Sequence, residues 1–371
     1  MRCTIIGAGL SGLALARSLQ SSAWQVQVFE RDAGPHERSQ GSFIGLAANS
    51  GQAAFEMLGL GAALKPLGEQ ILTFAFLDQQ GKELFTLRLP PAYGLLGVAR
   101  SAMYDLLLKD LPCERVEVRW GMRFERYVEH ENEVSVHFED GTEVVSDLVV
   151  ACDGLSSRVR SQRVGDEVND LGLESVAALL PLSAAPKHAL TERGVGFMTL
   201  VESGCVFVQR CAPVDKLLWS FTDARAQGLA DMAPAAALAH TRKRLGRSHE
   251  LLCSLLEATR PEHMLTGYRL RDRSLDFHHP SGRVLLLGDA AHAMSPFQGQ
   301  GGNVALLNAV TVGRALAAVQ APELRARVSE LEAQAIERAK HSWLSSRRAA
   351  RDFLASDAPK RVLEWRNGPL T

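Results

Sequence analysis

The chain lacks several things that would place it quickly. Its six cysteines (Cys3, Cys113, Cys152, Cys205, Cys211 and Cys253) form no CxxC pair and no zinc-ligand spacing, so buried free thiols in a reducing compartment are the expectation and no metal site is assigned. It has no signal peptide and no apolar run of membrane-spanning length, which leads us to expect a cytoplasmic protein. It also lacks an excess of either charge. Lys and Arg number 41 against 42 Asp and Glu, for a net charge of −1 spread through the chain, so nothing argues for nucleic acid or an anionic lipid surface. The longest basic stretch, Arg338 to Arg366, is broken by Asp352, Asp357 and Glu364 and reads as a solvated helix face. No Ser-His-Asp or Cys-His arrangement sits in a recognisable motif. What remains is 371 residues at 46% hydrophobic composition, enough for one large or two ordinary domains.

What the chain does have starts at its first residues. Arg2–Ile6 reads as a short buried strand running into Gly7-Ala8-Gly9-Leu10-Ser11-Gly12, then a helical pattern through Leu19, then a second strand, Val26–Phe29, ending at Glu30. This is the dinucleotide fingerprint in its full context of strand, GxGxxG, helix, strand and acid. Gly7 permits the tight turn, Gly9 keeps a Cβ away from a pyrophosphate, Gly12 lets the helix pack on the strand, and Glu30 can accept ribose hydroxyls. Only one such fingerprint occurs, so one dinucleotide is bound firmly and any second one is transient.

A second organising stretch is Arg283–Asn303. A buried strand stops at Gly288-Asp289, and a loop with Pro296, Gly299, Gly301, Gly302 and Asn303 leads into the helical pattern from Val304. That order places a carboxylate and free backbone N–H groups together. Between the two stretches, Ile71–Phe76 and Leu84–Leu89 flank a Gln80-Gly81 turn as a hairpin. Val116–Val118 reads as a strand, and Met122–His130, Val134–Phe138 and Glu143–Val145 as a meander. Leu148–Val150 is a buried strand leading into Asp153-Gly154-Leu155-Ser156-Ser157-Arg158-Val159-Arg160. From Asp166 to Tyr268 the pattern changes to antiparallel strands, followed by a helical pattern over Ala235–Glu257, and after Leu316 it is mostly helical.

Three of these motifs, GxGxxG, DGxxSxxR at Asp153, Gly154, Ser157 and Arg160, and GDAAHAMSPFQGQGGNVA, resemble those of the single-component FAD-dependent aromatic monooxygenases, the para-hydroxybenzoate hydroxylase family. They keep the family's order and spacing from Met1 to about Ala318. The resemblance implies an α/β fold: a GxGxxG Rossmann-like FAD-binding domain, an inserted antiparallel-sheet substrate domain, and C-terminal helices. The expected division is 1–70, 94–165 and 270–325 for FAD, 71–93 and 166–269 for the substrate, and 326–371 for the C-terminal segment.

By the same resemblance, Gly7, Gly9, Gly12, Glu30 and Arg31 hold the adenosine half of FAD. Asp289 meets the ribityl chain, Pro296 and Gly299 lie beside the isoalloxazine, and the helix start at Gly301, Gly302 and Asn303 faces the pyrimidine carbonyl. Arg100, at a helix start where a cation otherwise opposes the dipole, reaches the phosphate or ribityl group, and Arg38 is the nearest match to another cofactor-approaching arginine. Asp153 and Arg160 lie near both FAD and a transient NADPH or NADH. Phe197, Thr199, Val206, Val208 and Trp219 are candidates to line the substrate pocket, with core packing as the default. His292 is read as structural rather than as a base. Asn308 stands where the family commonly has Asp, which touches a packing or capping contact.

The implied activity is reduction of FAD by NAD(P)H, addition of O2 at flavin C4a, and transfer of one oxygen from the hydroperoxide to an aromatic or other electron-rich small molecule. No side chain is assigned as catalytic, because the flavin carries the chemistry. A reductase of the same fold and a non-catalytic flavin-binding protein are the alternatives; a halogenase is disfavoured because WxWxIP is missing.

Overall fold

The computed structural model describes residues 1–37, 42–90, 94–111, 113–186, 196–265, 267–277 and 282–364, with the backbone of Trp365. Arg38 therefore lies outside the described residues. The chain opens with β1 (Arg2–Ile6), α1 (Leu10–Leu19), β2 (Gln25–Phe29), β3 (Phe43–Leu46), β4 (Gly68–Ile71), β5 (Thr73–Leu77), β6 (Glu83–Arg88) and β7 (Leu95–Ala99). It continues through α2 (Arg100–Leu108), β8 (Val116–Arg119), β9 (Phe124–Glu129), β10 (Val134–Phe138), β11 (Glu143–Ser146), β12 (Leu148–Ala151) and α3 (Arg158–Arg163). Then come β13 (Asn169–Pro181), β14 (Gly196–Val201), β15 (Gly204–Cys211), β16 (Lys216–Asp223), α4 (Pro234–Leu245), α5 (Glu250–Ala258) and β17 (Tyr268–Asp272). The last elements are β18 (Val284–Leu286), α6 (Gly301–Leu316), α7 (Leu324–Phe353) and α8 (Ala358–Trp365).

Five strands form a parallel sheet in the order β18-β12-β1-β2-β8. β12 is apolar and buried throughout, and β1 is buried from Cys3 to Ile6, because both faces of the sheet are covered. The chain leaves β1 toward β2 on one side, while β12 and β18 lie on the other. β1 is thus a point where strand order reverses, and ligands bind beyond the carboxyl ends of strands at such a point. The expected meander is present as β9-β10-β11 and the expected hairpin as β5-β6, with Gly81 at φ +82° in its turn. The predicted Ala235–Glu257 helix is two helices, α4 and α5, separated at Gly246–His249.

A seven-stranded sheet, β17-β13-β16-β15-β14-β5-β6, makes the second body of the fold. Its side chains alternate between two faces. On one face Val206, Val208, Leu217, Trp219 and Phe221 pack against Leu238, Leu245, Leu252 and Leu255 of α4 and α5. The other face looks toward the carboxyl ends of the parallel strands.

The 30-residue helix α7 ties the two sheets together. Near its start Glu332, fully buried, pairs with Arg163 of α3 at 2.5 Å and accepts from the Leu286 N–H of β18 at 2.7 Å. Further along, Trp343 Nε1 donates to the Arg273 carbonyl, Ser295 and Ser346 exchange hydroxyl-to-carbonyl bonds, and Arg347 forks onto Asp272 at 2.6 and 2.8 Å. Its end places Ala349 and Phe353 beneath Phe76, Met198 and Leu200 of the seven-stranded sheet. The basic stretch that reads as a solvated face is therefore only partly so. Arg338 and Arg347 are structural, while Arg348 and Arg351 are exposed beside Asp352, Arg348 at the rim of the cavity beneath the seven-stranded sheet. The described cysteines are all free, and Cys113 departs from the expectation of burial by being exposed. No helix among the described residues is long and apolar enough to cross a membrane.

Removing one partner of a buried pair strands the other charge. Glu332→Ala, which also orphans the Leu286 N–H, is expected to lower stability by about 3–5 kcal/mol in urea unfolding of the apoprotein. A loss below about 1 kcal/mol would mean that α7 is not anchored here.

Candidate dinucleotide and substrate cavity

The glycines of the first turn divide into two kinds. Gly7 has φ +103°, and a Cβ on it would lie 2.4 Å from the Cys152 carbonyl oxygen at the end of β12; a Cβ on Gly12 would lie 2.0 Å from the Gly7 carbonyl oxygen. Both are therefore needed for backbone packing of α1 against β1 and β12. Gly9 is different. Its φ is −73°, and a Cβ there would meet no protein atom within 4 Å, because Gly9 faces open space. α1 begins at Gly9 with no side-chain cap, which leaves the N–H groups of its first turn for a ligand. Across the space, Glu30 holds the turn in place: Oε2 accepts from Ala8 N–H at 2.8 Å and Oε1 from Asp32 N–H at 3.1 Å.

The second organising stretch meets the same space. Gly288, at φ +58°, turns the chain after β18 so closely that a Cβ would reach the Ser11 hydroxyl of α1 at 2.5 Å. Asp289 follows, exposed into the cavity. α6 starts at Gly301 without a side-chain cap and packs on α1 where Gly313 abuts Ser18. Two uncapped helix starts thus open on one cavity. Asn303 does not line it. Its amide is fully buried, with Oδ1 accepting from the N–H groups of Ala47 and Gly51 and the Ser50 hydroxyl, and Nδ2 donating to the carbonyls of Gly45 and Gly299. It fixes the α6 start and the Pro296–Gly299 turn against the β3 segment.

The DGxxSxxR stretch is rearranged relative to expectation. Arg160 is fully buried, and its guanidinium is used up by the Asp166 carboxylate and the carbonyls of Ala290, Ala291 and Ser274. It latches α3 to the Asp289 turn and does not reach the cavity, which corrects its reading as a cofactor contact. Arg158, two residues earlier and exposed, lines the cavity instead, together with Arg31, Arg100 and Arg123. Asp153 lines it too. One oxygen of Asp153 accepts from Arg158 N–H at 2.9 Å, and the other is buried with no partner among the described residues. Burial raises its carboxyl above the ordinary value, against hydrogen bonds from Ser157 and the Val159 and Arg158 N–H groups.

His292 stays structural. It is fully buried, and its Nε2 meets the Asn308 amide at 3.1 Å; Asn308 also donates to the Ala335 carbonyl and accepts from Arg338. Burial holds the imidazole below its usual pKa. Asn308 accordingly joins α6 to α7, bridging the buried imidazole and the Arg338 guanidinium.

The cavity has a volume of about 1790 Å³, beyond the roughly 300–1,000 Å³ of a pocket for one drug-sized ligand. Gly7, Gly9, Glu30, Arg31, Arg100, Asp153, Asp289, Pro296, Gly299, Gly301 and Gly302 all line it. Its other end lies under the seven-stranded sheet and is apolar, with Phe74, Phe76, Met198, Phe207, Leu218, Phe297 and Phe353. Phe197, Thr199, Val206, Val208 and Trp219 are absent from the lining. They sit on the face that packs against α4 and α5, one residue out of step with the side chains that do line it. The alternation was visible in the sequence, but which face the helices would cover was not.

The open position at Gly9 makes a clean test. Gly9→Ala is expected to leave apoprotein stability within about 0.5 kcal/mol and to weaken dinucleotide binding by at least about tenfold, read by calorimetric titration. Gly12→Ala is expected to lower the apoprotein's melting temperature. Unchanged binding in Gly9→Ala would remove the dinucleotide from this turn.

A family model described as an FAD binding domain matches residues 1–349. The chain is 29% identical to 3-amino-4-hydroxybenzoate 2-monooxygenase of Streptomyces cremeus, covering 97% of this chain and 89% of that protein. It is 28% identical to aurachin C monooxygenase/isomerase of Stigmatella aurantiaca, covering 90% and 85%. Among solved structures, Klebsiella pneumoniae HpxO complexed with FAD and uric acid superposes with a TM-score of 0.84 at 23% identity, covering 99% of this chain and 92% of that one. The uncapped helix starts, the Gly9 opening and the Asp289 carboxylate fit the FAD that the family model describes and the HpxO complex holds, and the chain belongs to the FAD-binding family of para-hydroxybenzoate hydroxylase-like flavin monooxygenases.

Proposed function

We propose that this protein is an FAD-dependent, NADH- or NADPH-consuming monooxygenase that inserts one oxygen atom from O2 into an aromatic or other electron-rich small molecule. One observation carries the reading: a single cavity runs from the dinucleotide turn of β1 to an apolar chamber beneath the seven-stranded sheet. In this reading residues 1–70, 94–165 and 270–325 hold FAD, 71–93 and 166–269 cover the substrate, and the C-terminal helices close the chamber.

Bound FAD would supply hydride acceptance from the nicotinamide and activation of O2. The protein's own residues do the rest. Glu30 is placed for the adenosine ribose, Arg100 for a phosphate and Asp289 for the ribityl hydroxyls. The α6 start offers N–H groups to charge on a polarised carbonyl oxygen. Phe74, Phe76, Phe297 and Phe353 keep water from the apolar end. His292 takes no proton from substrate, because it lies outside the cavity lining. The nicotinamide cofactor, with no fingerprint of its own, would dock transiently against the exposed arginines Arg123 and Arg158.

Turnover with heavy-isotope O2, read by mass spectrometry, is expected to place one heavy oxygen in the product. Nicotinamide oxidation without substrate is expected to be slow and to release hydrogen peroxide. Label entering only from water, or a reduced product carrying none, would overturn the reading in favour of a reductase.

A further inference from the structure

The apolar end of the cavity contains a polar group that nothing in the protein uses. Gln209, on β15, lines the cavity and is only 5% exposed. Its amide makes no hydrogen bond among the described residues, and its Nε2 is fully shielded. A buried carboxamide without partners carries its full desolvation penalty, so such a group is retained where a ligand completes it. The backbone makes room for it. Gly97 of β7 lies directly opposite, and a Cβ there would come within 2.7 Å of Nε2. Gly97 pairs with Gly45 of β3, whose neighbour Ile44 also lines the cavity, so the amide sits where the sheet roof meets the cofactor half.

The surroundings of this amide are uncharged. Along the same face lie Cys205, Phe207, Leu218, Ser220 and Met198. The adjacent cation, Arg210, is on the alternate position and is held by Glu69, with Nε to Oε1 at 2.9 Å. The charged groups that do line the far end, His341, Arg348 and Glu364, come from α7 and α8, and Arg348 lies 3.6 Å from Asp352. An aromatic carboxylate entering beneath the sheet would meet no cation on that wall. A carboxamide turned about its side-chain torsions, which lifts Nε2 from Gly97, instead presents one acceptor and one donor side by side, which matches a neutral N–H/C=O edge.

We propose that Gln209 is the polar anchor of the substrate chamber, and that it selects an uncharged aromatic heterocycle carrying a lactam or hydroxy-imine edge over an aromatic carboxylate. This rests on the monooxygenase reading of the cavity and assigns its substrate class. The apolar remainder of the chamber accommodates the ring and an alkyl or aryl substituent, while the paired hydrogen bonds to Gln209 fix which edge of the ring faces the cofactor half.

The test uses the FAD-loaded protein and three probes of similar size: quinolin-2-one, quinoline and quinoline-2-carboxylate. Dissociation constants are read from the change in flavin absorbance. We expect quinolin-2-one to bind tightest. Gln209→Leu is expected to weaken it by about tenfold or more, to leave quinoline within about twofold, and to melt no lower than the wild type, since it removes an unpaired buried amide. Gln209→Arg is expected to reverse the ranking in favour of the carboxylate, a change that a merely structural role would not produce. Equal quinolin-2-one affinity in Gln209→Leu, or tightest binding of the carboxylate to the wild type, would overturn the proposal. So would loss of FAD from Gln209→Leu with unaltered probe binding, which would assign the amide to the cofactor. Absence of flavin from the wild type would instead sink the monooxygenase reading itself, and the two failures are therefore distinguishable.

Discussion

The structure depends on one close contact: the α carbon of Gly12 against the carbonyl of Gly7, with Gly7 itself pressed against the end of β12. No side chain fits there. Because the backbones touch, α1 starts directly above the carboxyl end of β1 and aims its uncapped first turn at the space beyond the sheet. The same economy of side chains recurs where Gly288 meets Ser11 and where Gly313 meets Ser18. Those contacts bring the Asp289 turn and α6 to the same point from the other side. A carboxylate and two fans of N–H groups then converge without any of them coming from a flexible loop.

The second sheet and α7 turn that convergence into a closed workplace. The seven-stranded sheet commits one face to α4 and α5 and presents the other as a roof. α7 runs beneath both bodies, held at Glu332, Ser346 and Arg347 and ending in the Phe353 cluster. The hydrogen bonds near the cavity sort by purpose. Asn303, Arg160 and Asn308 have every side-chain nitrogen and oxygen bonded to neighbouring backbone and side chains and so fix the walls. Gly9, Asp289 and Gln209 leave open space or unpaired atoms, and these mark where ligands belong.

Much of this was legible in the sequence, and the reasons it was or was not are physical. GxGxxG, the acid at Glu30 and the Gly288-Asp289 turn were legible because each demands a residue type that sterics or charge impose. The hairpin, the meander and the buried strands followed from periodicity. The role of Arg160 was not legible, since an arginine three residues into a helix looks the same whether it faces a cofactor or a ring of carbonyls. The lining of the chamber was hidden for a different reason. Val206 and Val208 look as suitable as Phe207 and Gln209, and only the position of α4 and α5 decides which set is core. Gln209 carried a signal that could have been used: it is an uncharged polar residue within an otherwise apolar strand, in phase with Cys205 and Phe207.

The central claim is that the convergence of α1, Glu30, Asp289 and the α6 start binds one whole FAD rather than a shorter flavin or an unrelated nucleotide. It is tested most directly by heating the purified, flavin-loaded protein and identifying what is released by chromatography and mass spectrometry. The account predicts one non-covalent FAD per chain, fully recovered in the supernatant. Release of FMN, flavin retained covalently on the denatured chain, or no flavin binding at micromolar concentration would contradict it.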